Sequence, residues 1–156
     1  MKLVYFSNTG QTRKFVKKLD MDSLELTPTN PFIEVHEDFI VIAPCYEKEV
    51  TDVIDDFIGT GNNIKYCKGV IGGGNRNFAD LFCYTAKDFA VDYNVPYLHE
   101  FEFQGSPNDV AAVQNIANEI ESGAYKYLTP REQGYLKRSK KTYTRSEFFI
   151  EKIKIV

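Results

Sequence analysis

Apolar residues along this chain come in short unbroken blocks that alternate with stripes of helical period. Leu3-Val4-Tyr5-Phe6 is the first block. Phe39-Ile40-Val41-Ile42-Ala43 is the clearest, continuous and β-branched as a strand covered on both faces should be. Between them, residues 12–19 place Phe15, Val16 and Leu19 on one helical face, and residues 22–26 are a candidate second strand before a loop with Pro28 and Pro31. Pro44 ends the third block. Residues 50–58 then repeat apolar positions at Val50, Val53, Ile54, Phe57 and Ile58, a helical stripe closed by Gly59 and Gly61. Lys68-Gly69-Val70-Ile71 predicts a strand that stops at Gly72-Gly73-Gly74. The pattern continues with a helix over 81–93, a strand over 96–103 and an amphipathic helix over 109–120, started by Ser106-Pro107-Asn108 and stopped near Gly123.

Five strands alternating with four helices argue for a parallel sheet, because parallel neighbours need a crossover between them. The expected fold is α/β: a flavodoxin-like, doubly wound five-stranded parallel sheet in the order 2-1-3-4-5, with helices on both faces. Residues 1–121 would form that domain and 122–156 a basic C-terminal extension, and 156 residues suit a single core.

Charge sharpens the division. Residues 1–121 carry 10 Lys+Arg against 19 Asp+Glu, a balance of −9, while residues 122–156 carry 9 against 3, a balance of +6. An acidic body repels nucleic acid, so none is expected as a partner. The tail, with Tyr125, Tyr127, Tyr135 and Tyr143 among its basic residues, is either a solvated appendage or attracted to an anionic surface, its own body included. Its last stretch, EFFIEKIKIV, is a candidate edge strand. No apolar stretch approaches the roughly 20 residues of a membrane span, and no signal-peptide pattern opens the chain, so a cytoplasmic protein without a membrane partner is expected. Cys45, Cys67 and Cys83 are odd in number and widely spaced, which predicts reduced thiols. With only His36 and His99 as imidazoles, no metal site is expected.

In such a sheet a ligand lies beyond the carboxyl ends of the strands, where three loops leave here. The first offers Ser7, Asn8, Thr9, Gly10, Gln11 and Thr12: hydroxyls, amides and a glycine that permits a tight turn, with Arg13 and Lys14 adding positive charge. Those are parts for holding a phosphate dianion, or equally for an ordinary helix cap. There is no Walker lysine and no Gly-x-Gly-x-x-Gly, so a mononucleotide fits better than a nucleoside triphosphate or dinucleotide. The second loop holds Pro44, Cys45, Tyr46 and Glu47, with Tyr46 a candidate ring partner or a rim residue. The third is IGGGNRNFAD. Gly72, Gly73 and Gly74 suggest that a flat group approaches the main chain, Asn75 and Asn77 can meet ring nitrogens and oxygens, and Phe78 can lie against a ring; a flexible turn is the alternative.

VYFSNTGQTRKFV resembles the phosphate loop of flavodoxins. Together with CKGVIGGGNRNFAD, NVPYLHEFEFQGSPNDV and the spacing between them, it resembles the NrdI family, the flavodoxin-like activators of class Ib ribonucleotide reductase, over about residues 2–121. The resemblance implies FMN as cofactor, with its phosphate at Ser7 to Thr12 and its isoalloxazine ring along Gly72 to Phe78. It implies as partners a flavin-reducing protein, dioxygen and the metal-binding small subunit of the reductase, to which the family's members deliver the oxidant that generates the dimanganese-tyrosyl radical cofactor. The chemistry would be the flavin's, with no catalytic side chain required. A general flavodoxin-type electron carrier and a flavin-free protein-binding module are the competing expectations.

One departure stands out. The stretch APCYEKEVTDV lacks the glycines that the family carries after its third strand, where a peptide flip meets flavin N5. A non-Gly residue resists the positive φ of one flipped form by roughly 1 kcal/mol or more, so a low yield of one-electron-reduced flavin is expected. Cys45 beside it is a candidate flavin contact or a small buried filler.

Overall fold

A computed structural model of the chain describes residues 1–45, 48–77 and 82–135. The strands are β1 (Lys2–Phe6), β2 (Ser23–Leu26), β3 (Phe39–Pro44), β4 (Cys67–Gly74) and β5 (Tyr97–Glu102); the helices are α1 (Gln11–Lys17), α2 (Lys48–Ile58), α3 (Asn63–Tyr66), α4 (Tyr84–Tyr93) and α5 (Pro107–Ser122). All strand pairs are parallel and the order is β2-β1-β3-β4-β5, as the alternation of elements predicts.

The continuous apolar blocks are explained by two cores, one on each face of the sheet. Successive side chains of a strand point to opposite faces. Val4, Phe6, Val41 and Ala43 therefore pack with Val53, Ile54 and Phe57 of α2 and with Ala86 and Phe89 of α4. Leu3, Tyr5, Ile40 and Ile42 pack with Phe15 and Val16 of α1 and with Val113 and Ala117 of α5. Burying a side chain such as Phe15 or Phe57 contributes on the order of 1.5–3 kcal/mol, so neither face tolerates a polar substitution in the central strands. The Phe15 and Phe101 rings stack at 4.0 Å and tie α1 to β5.

Local signals fix the ends of α5. Ser106 Oγ accepts from the Asp109 amide at 3.2 Å, the Ser106 amide donates to Asp109 Oδ2 at 2.8 Å, Pro107 opens the helix, and Gly123 closes it in the left-handed conformation. Elsewhere the boundaries move. β4 runs through Gly72-Gly73-Gly74 instead of stopping before them, because those residues pair with Glu100, Phe101 and Glu102 of β5. The additional turn α3 is stabilised by Asn63, which is fully buried. Its side chain accepts from the Val35 amide and donates to the carbonyls of Ile33 and Phe57 at 2.7–2.9 Å.

Residues 124–135 do not stand away from the body, as a solvated tail would. Tyr125 packs on the α1/α5 core and Tyr135 on the α2/α4 core. Gln133 lies along the outer edge of β5, where its side-chain amide accepts from the Tyr97 N–H and donates to the Tyr97 carbonyl, both at 2.9 Å. Tyr143 and the candidate edge strand EFFIEKIKIV lie outside the described residues.

Candidate functional site

The carboxyl ends of the parallel strands form one rim, at Phe6, Pro44, Gly74 and Glu102. After β1 the chain turns to α1 on one face, whereas after β3 it turns to α2 on the other. The two connections diverge, so the strand order reverses between β1 and β3, the kind of topological switch point at which open α/β sheets hold ligands.

The β1 turn spans residues 7–10. Asn8 and Thr9 are exposed and Ser7 and Gly10 half-buried, while Thr12, within α1, is only 4% exposed. Gly10 adopts φ +90°, a conformation in which a side chain is strained. The Arg13 amide donates to Ser7 Oγ at 3.3 Å and the Lys14 amide to the Gly10 carbonyl at 3.0 Å, closing the turn onto the helix. Arg13 Nε donates to Glu25 Oε1 of β2 at 2.7 Å. Tyr5 lies beside this pair. Burial, and next the Glu25 carboxylate, hold its phenol above the ordinary value against the opposing pull of Arg13.

At the β3 end, Pro44 belongs to the strand, opposite Gly73, and α2 begins at Lys48. Burial pushes the Cys45 thiol up to about 11, although backbone groups of Tyr84, Thr85 and Cys83 partly offset it. Cys83 is pushed up to about 12, by burial first and with Tyr97 as its hydrogen-bond partner. Such thiols are protonated at neutral pH and weak nucleophiles.

The glycine run is mostly filled by the protein itself. A Cβ on Gly72 would stand 2.8 Å from Cys83 Cβ and from Tyr97 Oη, and one on Gly73 2.7 Å from Phe101 Cζ. These two glycines let α4 and the Phe101 ring seat against β4. Gly74, half-buried, has the Phe82 ring 3.2 Å from its Cβ position, and the Arg76 guanidinium lies 4.6 Å from the centre of that ring. Beyond it, Asn75 Oδ1 accepts from the Asn77 amide and Glu102 Oε2 from the Arg76 amide, both at 2.9 Å, which folds the turn back against β5.

The rim thus brings Ser7, Asn8, Thr9, Gly10, Gln11, Pro44, Cys45, Gly74, Asn75 and Asn77 to the carboxyl ends of β1, β3 and β4, with Gly72 and Gly73 packed beneath. Tyr46, Glu47 and Phe78 lie outside the described residues. The donor set of the first turn, hydroxyls and amides around an open left-handed glycine with a guanidinium nearby, fits a phosphate ester. Sequence reasoning missed the Arg13–Glu25 pair and the Gln133 contact. Each joins residues on different elements, and no local pattern announces it. Among the described residues no cluster of side chains suited to a metal ion occurs, and no helix is long and apolar enough to cross a membrane.

Comparison with known proteins assigns the stretch that carries these turns. A family model described as NrdI flavodoxin-like matches residues 3–115, which run from the second residue of β1 through β5 into α5. Among solved structures, the regulatory domain of the master biofilm regulator CsgD is similar at 13% identity, over 87% of this chain and 98% of that chain, with a TM-score of 0.43.

Proposed function

The chain belongs to the NrdI flavodoxin-like family, and on that premise we propose that it is an FMN-carrying redox protein serving the metal-binding small subunit of a class Ib ribonucleotide reductase. The observation that carries the reading is the topological switch point between β1 and β3, whose flanking turns fall inside the matched residues. When bound, the flavin would supply electron transfer to dioxygen, yielding the superoxide or peroxide used to assemble the partner's dimanganese-tyrosyl radical cofactor.

The chain's share is binding and orientation. Ser7, Asn8, Thr9, Gly10, Gln11 and Thr12 would hold the phosphate through hydroxyl, amide and backbone donors. Gly74, Asn75, Asn77 and Phe78, above Gly72 and Gly73, would lie along the ring, with Pro44, Cys45, Tyr46 and Glu47 on its other side. The hydrogen bond within the Asn75–Asn77 turn and the one from the Arg76 amide to Glu102 would limit its movement, which favours a preformed seat over one assembled on binding.

Two measurements test the proposal. The purified protein should show flavin absorbance or take up added FMN. When reduced and exposed to air with a manganese-loaded small subunit, it should generate that subunit's tyrosyl radical. Reduced protein that passes electrons to several unrelated acceptors and yields no radical would instead identify a general electron carrier, and protein that takes up no flavin a binding module.

A further inference from the structure

We propose that Arg13 is a direct ligand of the cofactor phosphate and sets the preference for FMN over unphosphorylated riboflavin; this rests on the flavin reading above. The Arg13 side chain is 42% exposed but engaged with the protein on two sides, while Lys14 beside it is exposed. Arg13 doubles back over the turn that precedes it, so that Nη1 lies 3.8 Å from where a Cβ on Gly10 would stand, the nearest atom on that side of the glycine. Its Nε is held by Glu25 at 2.7 Å, which fixes the guanidinium plane, and its own amide binds Ser7 Oγ.

A surface ion pair alone contributes little, typically 0–1 kcal/mol, and would require no approach to Gly10. What the pairing does is orient. Arginine presents its donors as a rigid planar fork, and with Nε engaged by a carboxylate the Nη1 edge is turned to the open side of the left-handed glycine. A phosphate monoester carries close to two negative charges at neutral pH, and the other groups of the turn are neutral donors. The guanidinium is therefore the one full positive charge that the described contacts bring to this turn, while Glu25 keeps it from standing uncompensated when no ligand is bound.

Fluorescence titrations of the apoprotein with FMN and with riboflavin provide the test. Loss of a charge-assisted hydrogen bond predicts that Arg13→Met weakens FMN roughly tenfold to a hundredfold. Riboflavin affinity should change less than about twofold, which also shows that the variant is folded. Arg13→Lys should fall between, keeping the charge without the fork. Lys14→Met, which removes the same charge one residue on, should weaken FMN less than about threefold, separating contact from general field. FMN binding by the wild type should also fall more steeply with salt than binding by Arg13→Met. Equal losses for FMN and riboflavin, or an Arg13 effect no larger than that of Lys14, would overturn the proposal while leaving the flavin reading intact. A wild-type protein that takes up neither flavin would remove both.

Discussion

Gly10, in the turn after β1, and Gly72, near the end of β4, both lie in stretches that the sequence offers for a ligand, yet they are glycines for opposite reasons. At Gly10 the backbone demands it: φ is +90°, and the space a Cβ would enter holds nothing nearer than Arg13 Nη1 at 3.8 Å. At Gly72 the backbone lies within an ordinary strand and the space is taken, with Cys83, Tyr97 and Ala86 all within 3.0 Å of the Cβ position. One glycine leaves a surface open and the other lets the protein close on itself. A glycine-rich loop is thus a signal of close approach that does not say what approaches.

Adding a methyl group at each position measures the difference. Gly72→Ala should be the most damaging, because the Cβ atoms of Cys83, which caps α4, and of Ala86 within it cannot turn away and the helix itself must shift. A loss of about 2–3 kcal/mol is expected, read as a lower urea midpoint with unchanged slope. Gly73→Ala meets a ring edge, at 2.7 Å, and that ring is stacked on Phe15. Tilting Phe101 relieves part of the overlap, so about 1–2 kcal/mol should be lost. Gly10→Ala has no overlap to relieve and should lose only about 1 kcal/mol, the strain of a left-handed alanine. If Gly10→Ala is as damaging as Gly72→Ala, the contrast between an open and a filled position fails.

The same contrast explains what was legible in advance. The sheet order, both helical faces and the cap of α5 could be read because each follows from a local period or a short motif: alternate blocks such as Phe39 to Ala43, the stripe Val53-Ile54-Phe57-Ile58, and Ser106-Pro107 followed by Asp109. The candidate loops could be placed because strand ends in a parallel sheet share a rim. What could not be read depends on partners distant in sequence. Phe101 and Cys83 fill the glycine run only once β5 and α4 are in place. Arg13 of α1 finds Glu25 of β2 from 12 residues away, Asn63 meets Val35 from 28 residues away, and Gln133 reaches Tyr97 from 36 residues away. The charge balance changes sign after residue 121, but composition does not register that Tyr125 and Tyr135 fit two cores.

The smallest effect concerns the filled side and turns on Cys83, the residue that closes over Gly72. Its thiol is raised from the ordinary 9.0 to about 12 by burial, next to a hydrogen bond with Tyr97 that works the other way. Below pH 9 the thiol is protonated in folded and unfolded chains alike, and its contribution is fully present. Above pH 9 the unfolded chain releases that proton while the folded one retains it, so stability is lost as pH rises toward 12. Between pH 8.5 and 9.5 the part due to Cys83 should be about 1 kcal/mol or less, with Cys67 and Cys45 adding losses of the same sign because burial raises them as well. Cys83→Ala should therefore be less stable than wild type at pH 7, through lost packing over Gly72, yet lose less on going from pH 8.5 to 9.5. Urea titrations of both proteins at the two pH values measure the difference. Equal slopes would mean that water already reaches the thiol, and that α4 sits less tightly on β4 than the Gly72 contacts require.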